Sequence, residues 1–312
     1  MKKYKYVIVS PKNNHGGTIA LHALCHFLSQ QGENAKIFYL DKGYNRKNET
    51  AVLIYSIFYS IKDFFNVTFL KKPKTCILTC KRKWLPFISK NTIVIYPEII
   101  YGNFFKSKYV VRWLLSNNKI YTNDSNKTIG YDKNDMIFFY RDVFNDEKLN
   151  PQKRKLTLTY FDLDTYKRYN FGERAGKCYI LHKGAVRSDV PKHLDGPVID
   201  SLSEKEKVKI FNECEYCICY DTQTAYSQIA ALCGCISVVV PEAGKTRNDY
   251  RTHNGNIFDT GYGEAFGFSQ EEIDYAKNTT EQLTKMFKKA ENDSISNTVD
   301  FVKECEKYFN RM

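Results

Sequence analysis

The sequence contains no apolar run of the roughly 18 to 20 residues that a membrane-spanning helix requires. Its N-terminus, MKKYKYVIVSPKNN, has a short apolar stretch after two lysines, and this stretch is too short for the core of a signal peptide. It predicts a first buried strand instead. We therefore expect a cytoplasmic protein whose ten cysteines are reduced.

Motifs that read nucleic acids are absent as well. The sequence has no recognition-helix pattern, no zinc-finger spacing and no RRM-like aromatic strand. It is nevertheless basic, with 47 Lys and Arg against 35 Asp and Glu and a net charge of +12. Such a balance predicts an acidic partner. Without a nucleic-acid motif, we expect that partner to be a phosphorylated substrate or an anionic membrane surface.

A dinucleotide fingerprint is also missing. After the first predicted strand, Tyr6–Val9, the loop PKNNHGGT contains Gly16 and Gly17 but not the full GxGxxG pattern. A helix predicted at Ile19–Gln30 and a strand at Ala35–Leu40 complete a βαβ unit of the Rossmann kind. The missing fingerprint argues against enzymes that use a dinucleotide cofactor, such as some epimerases. The two glycines would still let this loop approach another nucleotide closely.

Cysteines are concentrated in the second half of the chain. Cys214, Cys217 and Cys219 are followed by Cys233 and Cys235, a spacing that superficially resembles paired zinc knuckles. Cys217 and Cys219, however, lie in an apolar run, where a strand would place both on one face. Because cysteine is a common small core residue, the sequence favours thiols that fill the core over a structural zinc site.

The most informative stretch is Cys217–Glu242, CICYDTQTAYSQIAALCGCISVVVPE. An apolar run ends at Asp221, and a turn containing Thr222 and Thr224 follows it. A helix of small residues is predicted at Ala225–Cys233, and a second β-branched run comes after a glycine. Strand, turn, helix and strand in this order indicate a parallel sheet.

Hydroxyl groups and backbone N–H groups would meet where that helix begins. Thr222, Thr224 and Ser227 lie there, and the helix dipole adds partial positive charge, so the turn is suited to a phosphate. Ser and Thr are also ordinary helix caps, and many such turns bind nothing. A cation at a comparable strand end supports the phosphate interpretation, since Lys183 follows the run CYIL, although lysine is usually a solvated surface residue.

Residues 50–70 form an aromatic and apolar segment with lysine-rich stretches on both sides. One interpretation is an amphipathic helix that lies on an anionic membrane. The other is a helix packed in the core of its own domain, which the irregular periodicity favours. Further along the chain, helices are predicted at Ser107–Leu115, Glu271–Phe287 and Val299–Phe309.

Three stretches resemble GT-B glycosyltransferases. Tyr96–Leu115 (YPEIIYGNFFKSKYVVRWLL) is similar to the proline-glutamate, glycine-asparagine and arginine-tryptophan pattern of bacterial surface-polysaccharide transferases. Tyr220–Gly234 resembles the donor-domain motif of the same family, and Glu264–Thr279 resembles its later acidic helix start. The resemblance implies an α/β fold with two Rossmann-like domains whose parallel sheets face each other across a cleft.

The resemblance also implies a separate role for each of three segments of the chain. Residues 1–165 would form the acceptor-side domain, 166–295 the domain that binds the nucleotide-sugar donor, and 296–312 a helix that packs back on the first domain. Donor binding would need no metal or cofactor. The residues expected to contact the donor are Gly16, Gly17, Lys183, Asp221, Thr222, Thr224, Ser227 and Glu242.

A catalytic base is the remaining requirement for an inverting reaction, because one group must accept the proton of the acceptor hydroxyl. His15 and Glu98 are the candidates, since both lie in loops of the first domain; Glu98 could instead cap a helix or hold Arg112. A retaining reaction would not need such a base.

The resemblance thus implies a metal-independent enzyme that moves a sugar from a nucleotide sugar to a surface glycan, such as lipopolysaccharide or capsule. The acceptor would be an oligosaccharide or lipid-linked, at the inner face of the cell membrane. One alternative is another nucleotide-sugar enzyme, such as an epimerase. The other is a basic, non-catalytic protein that binds glycans or nucleic acids, and such a protein would bind polyanions in a strongly salt-dependent way.

Overall fold

The computed structural model describes residues 3–12, 16–40, 49–69, 80–100, 102–116, 131–222, 224–250 and 260–311. The chain divides into two compact units. Unit 1 comprises Met1–Tyr160 and Glu291–Met312, and unit 2 comprises Phe161–Ala290. The roles that the sequence assigns to residues 1–165, 166–295 and 296–312 stay predictions.

The described part of the chain contains six α-helices, ten strands and two 3-10 helices, Asp142–Phe144 and His182–Val186. The helices are α1 (Gly16–Gln30), α2 (Glu49–Phe69), α3 (Glu204–Glu213), α4 (Tyr226–Leu232), α5 (Arg247–Tyr250) and α6 (Gln270–Phe309). The strands are β1 (Lys5–Pro11), β2 (Asn34–Leu40), β3 (Arg82–Lys83), β4 (Thr92–Pro97), β5 (Tyr109–Leu114), β6 (Met136–Phe139), β7 (Lys177–Ile180), β8 (Tyr216–Cys219), β9 (Ile236–Val239) and β10 (Glu264–Phe266).

Unit 1 is built on a six-stranded sheet with the order β3-β2-β1-β4-β5-β6, in which every neighbouring pair is parallel. Its central strands are almost continuously apolar and buried, as expected for a parallel sheet with both faces covered. Helix α1 and the last part of α6 share one hydrophobic core with the sheet, which includes Tyr6, Phe27, Trp113, Phe138 and Phe301.

Unit 2 contains a four-stranded sheet with the order β10-β9-β8-β7, and all of its pairs are parallel. Cys217 and Cys219 lie on β8 and face the same core, together with the buried thiols of Cys178, Cys233 and Cys235. Two units with parallel sheets and crossover helices confirm the predicted α/β class with two Rossmann-like domains.

One helix prediction is wrong. Within the segment predicted as a helix at Ser107–Leu115, Tyr109–Leu114 forms strand β5, which pairs with β4 on one side and with the edge strand β6 on the other. The apolar run of this segment fits a helix face and a doubly buried strand equally well. The β-branched Val110 and Val111 favour the strand, because their side chains pack well on a pleated surface.

Helix α6 is continuous, whereas the sequence predicts separate helices at Glu271–Phe287 and Val299–Phe309. The intervening segment is rich in Asn, Asp and Ser, which are weak helix formers. The Ser294 hydroxyl accepts the backbone N–H of Thr159 at 2.7 Å and donates to its carbonyl oxygen at 3.1 Å. Such bonds to the preceding chain stabilise the helix where its own propensity is low.

The predicted helix over residues 50–70 is confirmed as α2, but its expected packing is wrong. Its inward positions include Ser56, Ser60 and Asp63, whereas Phe58 and Phe65 are exposed. The helix therefore does not bury its apolar face in the core of unit 1. In the part of the chain that the structure describes, no helix is long and apolar enough to cross a membrane.

Candidate functional site

The carboxyl ends of β7, β8 and β9 lie next to each other at one edge of the sheet in unit 2. His182 and Lys183 follow β7, Asp221 and Thr222 follow β8, and Glu242 follows β9. Open α/β sheets bind their ligands at this edge, where loops leave adjacent strands. Four residues that the sequence assigns to the donor are thus brought to one edge by the strand order.

The turn after β7 places a histidine between two carboxylates. His182 has a φ of 38°, which is unusual for a residue other than glycine. Its backbone N–H donates to Asp200 at 2.7 Å. Its ring nitrogens lie 3.4 Å from a carboxylate oxygen of Asp200 and 3.9 Å from one of Asp221. The ring is also edge-on to Tyr226, with centroids 5.8 Å apart.

A glycine allows this turn to approach β8 closely. Gly184 is buried, and a Cβ atom there would overlap the carbonyl group of Tyr220. Lys183, one position earlier, is exposed to solvent. The close approach of Gly184 therefore fixes the position from which the Lys183 ammonium reaches into solvent at the strand ends.

The turn after β8 uses part of its predicted phosphate-binding set to hold itself together. Helix α4 begins at Tyr226 and has only seven residues. The Thr224 hydroxyl accepts the backbone N–H of Tyr226 at 3.3 Å. The buried Ser227 hydroxyl bonds to the Thr224 carbonyl oxygen at 3.0 Å and to the Glu264 carboxyl. Thr224 and Ser227 thus shape the turn, and Thr222 is half-buried at its tip.

Sequence reasoning missed Arg187, whose guanidinium ties the ends of two strands together. It donates to the carbonyl oxygens of Tyr220 at 3.1 Å and Val240 at 2.8 Å. It also pairs with the carboxylate of Asp189. Because Tyr220 and Val240 directly follow β8 and β9, Arg187 positions the loops that carry Asp221 and Glu242. Its sequence context, VRSD, gives no sign of this role.

Glu264 is a second notable group that the sequence does not single out, because it appears there only as the first residue of the stretch Glu264–Thr279. It lies at the start of β10, fully buried, and accepts hydrogen bonds from Ser227 and Gln228 of α4. Burial raises the pKa of Glu264 from 4.5 to about 7, although both hydrogen bonds and Arg247 lower it. A carboxyl that titrates near neutrality thus lies beneath the turn after β8.

This carboxyl gives a testable pH dependence. Its folded pKa exceeds its unfolded one, so its contribution to stability is complete below pH 4.5 and is lost as the pH rises through about 7. The difference is worth about 3 kcal/mol. Glu264→Gln should therefore have a Tm that changes less between pH 5 and pH 8 than that of the wild type. Exposed Glu271→Gln is the control, and parallel Tm curves for all three proteins would contradict the assignment.

Glu98 of unit 1 is buried at the end of β4. Its carboxylate accepts the backbone N–H of Leu115 at 2.9 Å and the hydroxyl of Ser116. It thus holds the end of β5, and it does not pair with Arg112, which pairs with Asp135. Its role as a catalytic base stays a prediction.

The glycines of the first loop begin helix α1 in unit 1. No atom lies within 4 Å of a Cβ built on Gly16, and the nearest to one built on Gly17 is a Leu115 carbon at 3.7 Å. Packing within the chain therefore does not require glycine at these two positions. Their contact with a donor stays a prediction, and His15, the other candidate base, lies outside the described residues.

A bound metal ion would need a cluster of His, Cys, Asp or Glu side chains. Within the described ranges, no group of three or more such side chains is arranged to hold a metal ion. Donor binding without a metal remains a proposal.

No protein-family model and no curated protein matches this sequence. Among solved structures, the chain is similar to MurG from Acinetobacter baumannii, with 13% identity, a TM-score of 0.33 and coverage of 96% of this chain and 99% of that chain. It is also similar to an alpha-glucosyltransferase in complex with UDP and a 13-mer DNA containing a HMU base, with 9% identity, a TM-score of 0.45 and 95% coverage of each chain. A third is the glycosyltransferase SnogD from Streptomyces nogalater, with 8% identity, a TM-score of 0.39 and coverage of 97% and 100%. These neighbours include GT-B glycosyltransferases, and at such identities the similarity is one of fold.

Proposed function

We propose that this protein is a glycosyltransferase that moves a sugar from a nucleotide-sugar donor to a growing surface glycan without a bound metal. One observation carries the proposal. Three adjacent parallel strands of unit 2 end in polar residues at the edge where α/β sheets bind nucleotides. The acceptor would be an oligosaccharide or a lipid-linked glycan at the inner face of the cell membrane.

Charge neutralisation is the main chemical task at such a site, because the leaving nucleoside diphosphate gains negative charge as the glycosidic bond breaks. Lys183 is exposed at the strand ends and can supply a cation there. Thr222 and the backbone N–H groups of its turn would contribute hydrogen bonds. Thr224 and Ser227 would act indirectly, since their hydroxyls hold the turn in shape.

The ribose of the donor nucleotide would lie near carboxylates. Glu242 follows β9 and is exposed, so it can accept hydrogen bonds from the two ribose hydroxyls. Asp221 lies on the neighbouring strand end and is largely buried. Its position beside His182 would orient the imidazole toward the same edge.

Nucleotide binding by a pair of lysine variants tests this proposal. Lys183→Ala should weaken the binding of the preferred nucleoside diphosphate at least tenfold, because a charge-assisted hydrogen bond is worth about 1.5 to 3 kcal/mol. Lys205→Ala removes an equally exposed lysine from α3 and should leave the affinity unchanged. Isothermal titration calorimetry with and without EDTA measures both, and EDTA should have no effect.

Either of two results would contradict the proposal. Equal affinities of the wild type and Lys183→Ala would remove Lys183 from the site, and a loss of binding in EDTA would show that a metal is required. The alternative of a non-catalytic polyanion-binding protein predicts a third pattern. Binding would then fall steeply with salt and show no preference for nucleoside diphosphates.

A further inference from the structure

Helix α2 of unit 1 has an inverted polarity. Its buried positions carry Ser56, Ser60 and Asp63. Its outward positions carry large apolar side chains, and Phe58 and Phe65 are 72% and 54% exposed. A helix on the surface of a soluble domain normally shows the opposite pattern, with its apolar stripe toward the core.

The inward polar side chains Asp63 and Ser56 have hydrogen-bond partners, so the local contacts of the helix favour this inverted orientation. Asp63 accepts hydrogen bonds from Lys12 at 2.6 Å and from Arg82. The Ser56 hydroxyl donates to the carbonyl oxygen of Val52 one turn earlier, at 2.6 Å. Rotating the helix to bury its phenylalanines would break the ion pairs of Asp63 and expose Val52.

The outward face of α2 continues onto the segment after β3. Trp84 packs edge to face against Phe64, with ring centroids 5.1 Å apart, and the guanidinium of Arg82 lies over the Trp84 ring at 3.7 Å. Phe87, three residues later, is 68% exposed. We call this the α2 surface, and it consists of Ile54, Phe58, Ile61, Phe64, Phe65 and Phe87.

Positive charge is concentrated in the same part of the chain. Residues 42–90 contain eleven Lys and Arg but only two Asp and Glu, so this segment holds +9 of the net charge of +12. Both acidic residues make bonds within unit 1: Asp63 pairs with Lys12, and Glu49 accepts the backbone N–H of Asn103 at 2.8 Å. Among the described residues between 42 and 90, the exposed charged side chains are the cations Lys62, Lys81 and Lys90.

We propose that the α2 surface lies on an anionic phospholipid bilayer. Ile54, Phe58, Ile61 and Phe65 follow the helical repeat, so they form a stripe about 16 Å long that can insert at the level of the acyl boundary. Basic residues beside such a stripe gain about 1 kcal/mol each from anionic headgroups. The proposal does not depend on the sugar-transfer chemistry.

Charge favours a membrane over a second copy of the chain as the partner of this surface. A symmetric dimer through α2 would bring two segments of charge +9 together, and their repulsion would oppose association. An anionic bilayer offers both an apolar interior for the phenylalanines and negative headgroups for the lysines. It therefore satisfies both features of the surface at once.

Vesicle co-sedimentation tests the proposal with two matched double variants of the full chain. Phe58→Ser/Phe65→Ser removes two exposed rings from the α2 surface, and Phe171→Ser/Val186→Ser removes two apolar side chains from unit 2 that are even more exposed. Wild-type protein should bind vesicles of phosphatidylcholine with 30% phosphatidylglycerol at least tenfold more tightly than vesicles of phosphatidylcholine alone. The first variant should lose at least tenfold in binding, the second should not, and both should keep the wild-type Tm.

Four results would overturn the proposal. Wild-type protein could fail to bind the anionic vesicles, or bind both vesicle types equally. The Phe58→Ser/Phe65→Ser variant could bind as tightly as the wild type. Sedimentation velocity could also show a wild-type dimer that this variant dissociates, with no vesicle binding by either, and the α2 surface would then be an interface between copies.

Discussion

Arg112→Ala should destabilise unit 1 by about 3 to 5 kcal/mol, because it removes one partner of a buried ion pair. The Arg112 side chain is fully buried on β5, and its guanidinium lies 2.7 Å from the carboxylate of Asp135. It also donates to the carbonyl oxygens of Ile100 and Gly102, at 3.3 and 2.8 Å. The rings of Tyr96 and Tyr131 face the guanidinium at 4.7 and 4.5 Å. Thermal unfolding should show a Tm lower by about 10 °C.

The loss should depend on pH in a defined direction. Burial raises the pKa of Asp135 above its usual range even though Arg112 lowers it. The contribution of this carboxyl to stability is therefore present at low pH and is lost as the pH rises through its folded pKa. Without Arg112 the folded pKa rises further, so Arg112→Ala should cost less at pH 5 than at pH 8.

An exposed ion pair of the same unit provides the control. Lys155 and Asp142 also lie 2.7 Å apart, but both side chains are largely exposed. Lys155→Ala should cost less than about 1 kcal/mol, as exposed pairs do. Equal losses for Arg112→Ala and Lys155→Ala would contradict the ion-pair account of β5.

Gly184→Val should both destabilise unit 2 and weaken nucleotide binding. The new side chain would overlap the backbone carbonyl of Tyr220, which is held by β8 and cannot move cheaply. Overpacking of this kind costs about 1 to 3 kcal/mol. The turn carrying Lys183 would shift away from the strand ends, so nucleoside-diphosphate affinity should fall at least tenfold.

A substitution at the next residue tests whether the effect comes from the position of the new side chain or only from its added volume. Ala185→Val adds the same side chain one residue later, where the position is exposed, and should leave Tm and affinity near the wild-type values. Calorimetry and thermal unfolding of both variants measure the effect. If Gly184→Val bound nucleotide normally, the turn after β7 would not belong to the site.

Much of the fold follows from local patterns in the sequence. Short apolar runs followed by glycine-containing or hydroxyl-rich turns predict parallel strands, and β1, β2, β8 and β9 lie where these runs predict them. Residues at strand ends, such as Lys183 and Asp221, are brought to one edge because parallel strands share a direction. The sequence pattern indicates parallel strands, and parallel strands are enough to place these residues at one edge of the sheet.

Long-range partners could not be predicted in this way. Glu264 has a raised pKa because it is buried against Ser227 and Gln228, which lie more than thirty residues earlier in the chain. Arg112 marks a central strand only once Asp135 and the carbonyls around it are known. Helix α2 has a recognisable helical period, but the direction of its polar face depends on Lys12 and Arg82, which reach Asp63 from other parts of the chain.

A thermal-shift screen tests the central claim most directly. The full chain would be melted with UDP, GDP, CDP, dTDP and CMP, each with and without EDTA. If the protein is a nucleotide-sugar enzyme of the proposed kind, one of these nucleotides should raise Tm by several degrees, and EDTA should not change this rise. No shift with any nucleotide, together with a shift caused by a polyanion such as heparin, would contradict the claim and favour a binding protein.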